Sequence, residues 1–396
     1  MKLNKIVIIN QHSLNYGDDM AGISLVQAIE TYINPEQIDI IYNTPGQIPI
    51  LDDVVRHRRD LSLKTIGILP ILFFMIGTLL NINILFGSKI KYFVNEIKKA
   101  NVIFVSPSGA NLGIYKDWRF LIKLLLAKVS GVDIVFCNNT IGKSNSIIFN
   151  FFENKILKYS NLYVRERKSF DFLKDNGYHP ILGVDTAFSL NSVDNNIGKM
   201  VKKNDYITFI PTELGWHPDF KKSDVTNLLF TRFLPKLCEF QIEHNFDLKI
   251  VPHKYGEAYE AKLLESIEKR IIELGVSKEK INICKVSDCF DYENILKNSK
   301  YNVTMRYHGA VMSIKNGVPF LSLQYENKMK EVADYSGVGE LNIPIERAFE
   351  QDFRISDEYK KAERKICIMK MNSNYLRRIS LLPVKQQAFI LKNRVM

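Results

Sequence analysis

Short runs of β-branched and aliphatic residues alternate with longer amphipathic stretches along this chain, and this alternation restricts the fold more than any other feature of the sequence. One series of runs precedes a polar segment and a second series follows it. The runs cover residues 5–10, 37–42, 102–106, 133–138 and 162–164 in the first series, and 206–210, 248–251, 281–284, 301–304 and 319–323 in the second. Strands that alternate with helices pair in parallel. Each series therefore predicts a doubly wound, Rossmann-like α/β domain.

The domain boundaries follow from length and composition. A chain of 396 residues is too long for a single compact core. We predict an N-terminal domain over residues 1–190, a linker over 191–205 that is rich in asparagine, lysine and aspartate, a C-terminal domain over 206–355, and a basic helical tail over 356–396. Two such domains facing a cleft resemble the GT-B architecture of glycosyltransferases. In open α/β sheets ligands bind beyond the carboxyl ends of the strands, so the loops there hold the candidate residues.

Charge and cysteine content narrow the classes of partner and compartment. Lysine and arginine total 54 against 43 aspartate and glutamate, which gives a net charge of +11 and favours an anionic partner. The sequence has no RNA-recognition motif, zinc finger or basic zipper, so nucleic acid is not the expected partner. Its five cysteines are odd in number and lie mostly in apolar runs, which indicates a reducing compartment without structural disulfides or a metal site. The N-terminal residues lack a signal-peptide pattern, so we expect a cytoplasmic protein.

An uncharged segment from Thr65 to Ser88 leaves three alternatives open. It is flanked by Lys64 and Lys89, and its length would suffice to span a bilayer. Several glycine, proline and asparagine residues interrupt it, however, and a single span would place the first strand and the rest of its sheet on opposite sides of the membrane. A buried helical hairpin and an interfacial element at the inner face of the cytoplasmic membrane are the other two alternatives. The interfacial one is our preferred prediction.

In the N-terminal domain, candidate residues follow the predicted strands. Asn15, Gly17 and Asp18 stand just before a predicted helix, where free backbone amides could receive an anion or a hydroxyl-rich ligand, although such residues also form ordinary turns. Arg165 ends a strand, and its planar guanidinium suits a carboxylate or a phosphate. Asp185 ends a further short strand as a turn former or a hydrogen-bond acceptor. We treat all five as candidate ligand-binding residues.

The C-terminal domain carries the stronger signal. His253 follows one strand, and Arg306 and His308 lie between another strand and the helix that follows it. Lys328 comes just after the next strand. A lone histidine is more often structural than catalytic, but cations that cluster at one sheet edge require an anion to offset their repulsion. The group is therefore suited to hold an anion and to transfer a proton.

Taken together, these pieces resemble the polysaccharide pyruvyl transferase family. The matching segments are Asn-x-Gly-Asp at 15–18, Val-Arg-Glu at 164–166 with Ser169, the aspartate at 185, Met-Arg-Tyr-His-Gly-Ala at 305–310, and 319–328, and they run in the family's order. The stretch 304–330 is the most specific. Two departures stand out: the loop at 106–111 lacks the glycine run of the family, and Thr186 stands where a proline is common.

The resemblance implies a GT-B-like fold and a chemistry. It implies that phosphoenolpyruvate donates a pyruvyl group to two hydroxyls of a sugar in a bacterial surface glycan or a lipid-linked precursor, with no nucleotide, metal or other cofactor. Arg165, Arg306 and Lys328 would bind the donor and His308 would be the general acid. The acceptor or loop candidates are Asn15, Gly17, Asp18, Asp185 and His253. Two other functions remain open: a glycosyltransferase that uses a nucleotide sugar, and a non-catalytic, membrane-associated glycan-binding protein.

Overall fold

The computed structural model describes residues 5–191, 205–215, 217, 220, 224–255 and 258–395. Contacts divide these residues into two units. The first unit takes in residues up to Leu14, Asp18–Asn191 and the chain from Arg377 onward. The second takes in the short segment Asn15–Gly17 and the described residues from 205 to Leu376. We describe each unit by itself.

A parallel sheet of apolar strands forms the centre of the first unit. Strands β1 to β7 are Lys5–Gln11, Gln37–Tyr42, Arg56–His57, Val102–Val105, Ile134–Asn139, Ser160–Val164 and Ile181–Leu182. Their order in the sheet is β3-β2-β1-β4-β5-β6-β7, and every pair is parallel. The order reverses between β1 and β4, which makes their carboxyl ends the switch point where such sheets bind ligands.

Helices cover this sheet and bury their apolar residues against it. Helices α1 to α7 are Tyr16–Tyr32, Leu63–Ile66, Ile68–Leu79, Ser88–Lys98, Trp118–Val129, Ile147–Leu157 and Arg167–Asp175. Asp117 caps α5 by accepting a hydrogen bond from the Phe120 amide at 3.1 Å. The core of the unit includes Ile9, Phe93 and Phe136, all with no exposed surface. Burial on both faces of the sheet is the reason for its continuous apolar strands.

The uncharged segment Thr65–Ser88 forms the end of α2, the whole of α3 and an irregular segment that runs back along α3 to the start of α4. Gly77 lets the chain turn back, because a Cβ there would lie 2.6 Å from the Ile82 carbonyl oxygen. Phe74 faces the core and is 1% exposed, whereas Leu72 and Phe73 on the same helix are 52% and 41% exposed. Phe74 therefore packs into the core, and only part of the apolar surface of this segment is exposed.

The second unit is built on a six-stranded parallel sheet with the same order. Strands β8 to β13 are Tyr206–Ile210, Asp247–Ile250, Ile281–Ile283, Tyr301–Thr304, Phe320–Gln324 and Asn342–Pro344. They are arranged β10-β9-β8-β11-β12-β13, all parallel. This is the 3-2-1-4-5-6 order of a dinucleotide-type Rossmann fold, with its switch point between β8 and β11.

The remaining helices belong mostly to the second unit. Helices α8 to α14 are Val225–Leu228, Leu234–His244, Ala258–Glu273, Cys289–Lys297, Tyr307–Asn316, Asn327–Tyr335 and Ile355–Arg364, and α15 and α16 are Ile366–Ser380 and Leu382–Val395. A π-helical turn, Leu229–Phe233, joins α8 to α9. Short 3₁₀ turns occupy Pro49–Leu51, Arg59–Leu61, Thr186–Ser189, Lys278–Lys280, Gly339–Leu341 and Ile345–Phe349. Among the described residues, no helix is long and apolar enough to cross a membrane.

The predicted fold class, two Rossmann-like α/β domains, is confirmed. The strands β3 and β13 were not predicted from the sequence, and β7 corresponds to the further short strand predicted before Asp185. The predicted linker over 191–205 lies almost entirely outside the described residues. The segment predicted as a basic tail is helical, and it is shared between the units, because α14 and the start of α15 cluster with the second unit and the chain from Arg377 clusters with the first.

Candidate active site

The most specific motif of the sequence lies at the carboxyl end of β11, in the second unit. Thr304 fixes the turn that leads into α12, because its Oγ1 accepts a hydrogen bond from the Arg306 amide and donates one to the Arg306 carbonyl, each at 2.9 Å. Arg306 is thereby the N-cap residue of α12. A Cβ at Gly309 would overlap Thr304 Oγ1, so only glycine fits in the first turn of this helix. The spacing Thr-x-Arg-x-His-Gly therefore has a local structural reason.

Arg306 is held in place by one carboxylate. Its Nη2 donates to Glu260 Oε1 at 2.9 Å, and Glu260 Oε2 accepts the Lys254 amide at 2.5 Å. Both Arg306 and Glu260 are buried. The Nε of Arg306 is also buried, and among the described residues it has no hydrogen-bond partner. A guanidinium oriented by a single carboxylate, with a further donor left over, can hold an anionic ligand.

His308 and His253 form a buried pair beside Arg306. Their rings are nearly parallel, with centroids 6.3 Å apart and planes 16° apart. Burial lowers the pKa of His253 well below 6.5, and the neighbouring Arg306 and His308 lower it further. His253 Nδ1 lies 3.3 Å from the hydroxyl of Tyr292, which is also buried. His253 is therefore neutral near pH 7 and does not compete with His308 for a proton.

Lys328 completes this group from the first turn of α13. Its Nζ lies 2.6 Å from Glu326 Oε2 and 5.9 Å from the ring centroid of Tyr307. Glu326 Oε1 lies 3.7 Å from Nε2 of His217, a residue that the sequence did not single out. The positive charge of Lys328 also lowers the pKa of His253. The structure thus brings together His253, Arg306, His308 and Lys328, which we call the cation–histidine cluster.

The loop segment Asn15–Gly17 belongs to the same unit as this cluster. The amide of Tyr16 donates to the His253 carbonyl at 3.0 Å, and its hydroxyl donates to the Val286 carbonyl at 2.9 Å. Asn15 pairs with Lys254 as an isolated antiparallel bridge. A Cβ at Gly17 would overlap the imidazole of His308 at Nδ1 and Cγ. Gly17, predicted as an acceptor or loop residue, thus lies directly against the candidate general acid.

Arg165 and Asp185 lie in the first unit and are bound to each other. Arg165 Nη1 donates to Asp185 Oδ2 at 2.6 Å, and its Nε donates to Thr140 Oγ1 at 3.2 Å. The side chains of Arg165 and Asp185 are 4% and 0% exposed. Asp185 Oδ1 also accepts the Ala187 amide at 2.8 Å. A predicted donor residue and a predicted acceptor residue are therefore partners in one buried ion pair, which gives both a structural role.

The sequence missed a polar group around His12, which follows β1 in the first unit. Its Nε2 lies 3.1 Å from Nδ2 of Asn111 and 3.4 Å from Nδ2 of Asn43. Asn43 Nδ2 in turn donates to Asp117 Oδ2 at 2.7 Å. Burial lowers the pKa of His12, and the charges of Asp18 and Asp117 oppose this shift. The position of His12 after a central strand was the one signal that could have identified it.

With this geometry established, comparison with known proteins decides the family. A family model described as polysaccharide pyruvyl transferase matches residues 15–327, well over half of the chain. The chain belongs to that family. The matched range contains the loop at 15–18, Arg165, Asp185 and most of the cation–histidine cluster. A search of curated protein sequences gives no significant match.

Three solved structures illustrate the fold that this chain shares with known proteins. A glycosyltransferase from Rickettsia africae superposes with a TM-score of 0.57 at 11% identity, covering 100% of this chain and 97% of that one. UDP-GlcNAc 2-epimerase from Neisseria meningitidis, bound to UDP-GlcNAc, gives 0.57 at 8% identity, with 99% of each chain covered. MnaA from S. aureus in a structure with UDP gives 0.56 at 12% identity, covering 99% and 96%. At such low identities the likeness shows the fold alone.

Proposed function

We propose that this protein transfers a pyruvyl group from phosphoenolpyruvate to two hydroxyls of one sugar in a bacterial surface glycan or its precursor. The products are a cyclic ketal and inorganic phosphate. The observation that supports this proposal is the cation–histidine cluster, in which Arg306, Lys328 and two histidines share one poorly solvated site. Membership of the pyruvyl transferase family makes the donor and the reaction type the natural choice.

Donor binding is the first role of the cluster. Phosphoenolpyruvate carries a carboxylate and a phosphate on neighbouring atoms, and two cations in one site bind such a pair with charge-assisted hydrogen bonds. Arg306 has a buried Nε available for one of these anions, and Lys328 supplies a second positive charge. Buried like charges repel one another, so a bound dianion also relieves the repulsion within the cluster. Arg165 in the first unit remains a proposed third donor residue.

Proton transfer is the second role. His308 protonates the methylene carbon C3 of the enol, which leaves positive charge on C2. A sugar hydroxyl attacks C2, and its proton returns to His308. The bond between C2 and the phosphate oxygen then breaks, and the second hydroxyl attacks C2 to close the ketal while its proton leaves with the phosphate. Because the low pKa of His253 keeps that ring neutral, we assign the proton-donating role to His308.

The acceptor site and the cellular location are the remaining parts of the proposal. Asn15, Gly17 and Asp18 flank the start of α1, where backbone amides are available to sugar hydroxyls. The exposed apolar side of α3 would bring the enzyme to the inner face of the cytoplasmic membrane, where glycan precursors carried on lipids are found. No metal or nucleotide takes part in the proposed steps.

Two substitutions in the cluster test the assignment. His308→Ala should lower turnover by about 10²–10⁴-fold while phosphoenolpyruvate still binds, because the cations remain. Lys328→Ala should instead weaken phosphoenolpyruvate binding by about tenfold, since it removes one charged contact. Lys330→Ala is the matched control, because Lys330 lies on the same helix and is 61% exposed. Phosphate release and calorimetric binding of phosphoenolpyruvate separate the two effects.

The alternative glycosyltransferase function makes the opposite ligand prediction. Phosphoenolpyruvate should raise the melting temperature of the wild-type protein in a concentration-dependent manner, and UDP-GlcNAc should not. Stabilisation by UDP-GlcNAc alone, with no phosphate released from phosphoenolpyruvate on any glycan acceptor, would contradict the proposed function and favour a nucleotide-sugar enzyme. Normal turnover by His308→Ala would remove His308 from the mechanism while leaving the donor assignment in place.

A further inference from the structure

A basic pocket lies in the first unit, beyond the carboxyl end of β2. Its volume is about 260 Å³, and its wall includes Arg58, Arg59, Lys64, Arg119 and Lys123. None of the described lining residues is acidic. Thr44 and Ser62 add hydroxyl groups to the wall. The pocket shares no lining residue with the cation–histidine cluster, so the proposed donor chemistry leaves it unexplained.

Most of the positive charge in this pocket is not neutralised by the protein. Arg58 is the exception, since its guanidinium lies within 2.9 Å of the carboxylates of Asp39, Asp60 and Glu96. The other four cations are different: within the part of the chain that the structure describes, none of them forms an ion pair with a carboxylate. Lys123 is buried, and its Nζ donates to the Tyr42 carbonyl at 2.9 Å. Three cations without a carboxylate partner, Arg59, Lys64 and Arg119, together with the amine of Lys123, favour an anion in this small cavity.

We infer that this pocket binds the phosphate or diphosphate group of an acceptor glycan that is carried on a membrane lipid. The inference rests on the proposed function, which it deepens by assigning the acceptor to a chemical class. The cavity is slightly smaller than the usual ligand pocket of about 300–1,000 Å³, so it suits a phosphate group with its nearest neighbours and not a whole oligosaccharide. Arginine, lysine and hydroxyl groups are the side chains that proteins use to bind phosphate.

The surroundings of the pocket indicate a lipid. From Lys64 in the pocket wall the chain continues through Gly67 into α3, whose outward residues Ile68 and Leu69 are 79% and 57% exposed. The start of α6 is also apolar and exposed, with Ile147 at 88%. Lys155 Nζ on α6 donates to Asn81 Oδ1 at 2.5 Å, which places α6 next to the end of α3. An apolar surface that enters the interface would bring these cations to the level of the phosphate groups.

Vesicle binding of the full-length protein tests this inference. Two kinds of phosphatidylcholine vesicle with equal surface charge are compared, one that contains a polyprenyl phosphate and one that contains phosphatidylglycerol. Inorganic diphosphate serves as the soluble competitor. We expect the wild type to bind the polyprenyl phosphate vesicles about tenfold more tightly, and diphosphate to compete. Lys64→Ala with Arg119→Ala should remove this preference. Lys158→Ala with Lys174→Ala removes the same charge from exposed sites of the same unit outside the pocket and should keep it.

Three results would overturn the inference or separate it from the proposed function. Equal binding to both kinds of vesicle without competition by diphosphate would mean that surface charge alone attracts the protein, and would overturn the pocket assignment. Competition by diphosphate without a preference for the polyprenyl phosphate would overturn the lipid assignment in favour of a soluble phosphate ligand. Selective vesicle binding by a wild type that releases no phosphate from phosphoenolpyruvate on a soluble acceptor would support the pocket and contradict the proposed reaction.

Discussion

Single residues in the second unit act by their size as well as by their charge. His308 reaches its position because Gly17 has no side chain, and the turn before α12 closes because Gly309 has none either. Arg306 is oriented by Glu260, so its guanidinium does not have to reorganise when an anion arrives. A search for charged residues alone therefore misses the two glycines that determine the shape of this site.

Gly17→Ala should reduce turnover strongly, with only the modest loss of stability, about 1–3 kcal/mol, that is expected from overpacking. The added Cβ would overlap the His308 imidazole and force it to move, and displacements of about 1 Å cost on the order of 10²-fold in rate. Alanine is also a better helix former than glycine, so the start of α1 should not be weakened. Gly142→Ala is the matched control, because nothing lies within 4 Å of a Cβ built there. Turnover and thermal stability equal to those of the wild type would contradict the positioning role of Gly17.

Arg165→Ala should destabilise the protein. The substitution would leave the carboxylate of Asp185, which is 0% exposed, without its arginine partner. Removal of one partner from a buried ion pair typically costs about 3–5 kcal/mol of unfolding free energy. Arg167→Ala is the control, since the Arg167 and Asp171 side chains are 64% and 49% exposed and such pairs contribute roughly 0–1 kcal/mol. Urea denaturation measures both.

The result also decides the role of Arg165 in donor binding. If Arg165→Ala is as stable as Arg167→Ala and loses only affinity for phosphoenolpyruvate, then Arg165 is a donor residue and the pair with Asp185 contributes little to stability. If the variant is too unstable to assay, Arg165→Lys keeps the charge and removes the bidentate geometry, so donor affinity can still be measured.

At the scale of secondary-structure elements, α3 stands apart because its two sides meet different surroundings. Phe74 is buried in the core, while Leu72, Phe73 and Ile76 are 52%, 41% and 50% exposed. Phe73 also contacts Phe86 in the irregular segment that follows α3, with ring centroids 5.3 Å apart. The exposed apolar side of α3 therefore continues onto that segment. A contiguous apolar surface of this kind indicates an interaction site.

Leu72→Ser with Phe73→Ser should release the protein from anionic liposomes and leave its melting temperature close to that of the wild type. Both side chains are about half exposed, so the folded state loses much less packing than it would at the buried Phe74, while membrane binding loses two apolar groups. We expect at least about a tenfold loss in partitioning, measured by co-sedimentation.

Phe74→Ser provides the contrast on the same helix. Removal of a buried phenylalanine costs about 3–5 kcal/mol, so this variant should unfold more easily. Undiminished sedimentation of the Leu72 and Phe73 variant would show that α3 is not the membrane contact.

At the scale of the whole molecule, the fold could be predicted from the sequence because each long strand is a distinct apolar run. Every one of the ten predicted strands overlaps an observed one. The strand Arg56–His57 was missed because two residues are too short for any periodicity, and Asn342–Pro344 was missed because it ends in a proline. Helix α1 begins at Tyr16, earlier than predicted, because the loop residues at 15–18 are themselves part of its first turn.

The candidate residues were predictable where they follow recognisable strands, because the carboxyl ends of neighbouring parallel strands meet at one edge of the sheet. Arg306 and His308 share one motif, so their common location follows from a single strand end. His12 contacts Asn43 and Asn111, which come from separate segments of the chain, and only the folded sheet brings them together. Lys123 lies within an apolar helix and resembles a residue at its solvent face, although it is buried. Tertiary structure, not local pattern, determines these environments.

The pH dependence of stability of the whole protein should reflect Lys123. Burial lowers the pKa of Lys123 to about 7, well below its value in the unfolded chain. Between that value and about 10.4 the unfolded chain binds a proton that the folded protein does not, so stability should rise with pH across this window and be insensitive to Lys123 below it. Lys123→Met should remove roughly 2 kcal/mol of the rise in unfolding free energy between pH 7 and pH 9, measured by urea denaturation, whereas Lys158→Met should not.

An anion in the pocket stabilises charged Lys123, so inorganic diphosphate should flatten the pH profile of wild-type stability and leave that of Lys123→Met unchanged. Parallel profiles for the wild type and Lys123→Met would contradict the assignment of a buried, weakly basic lysine in this pocket.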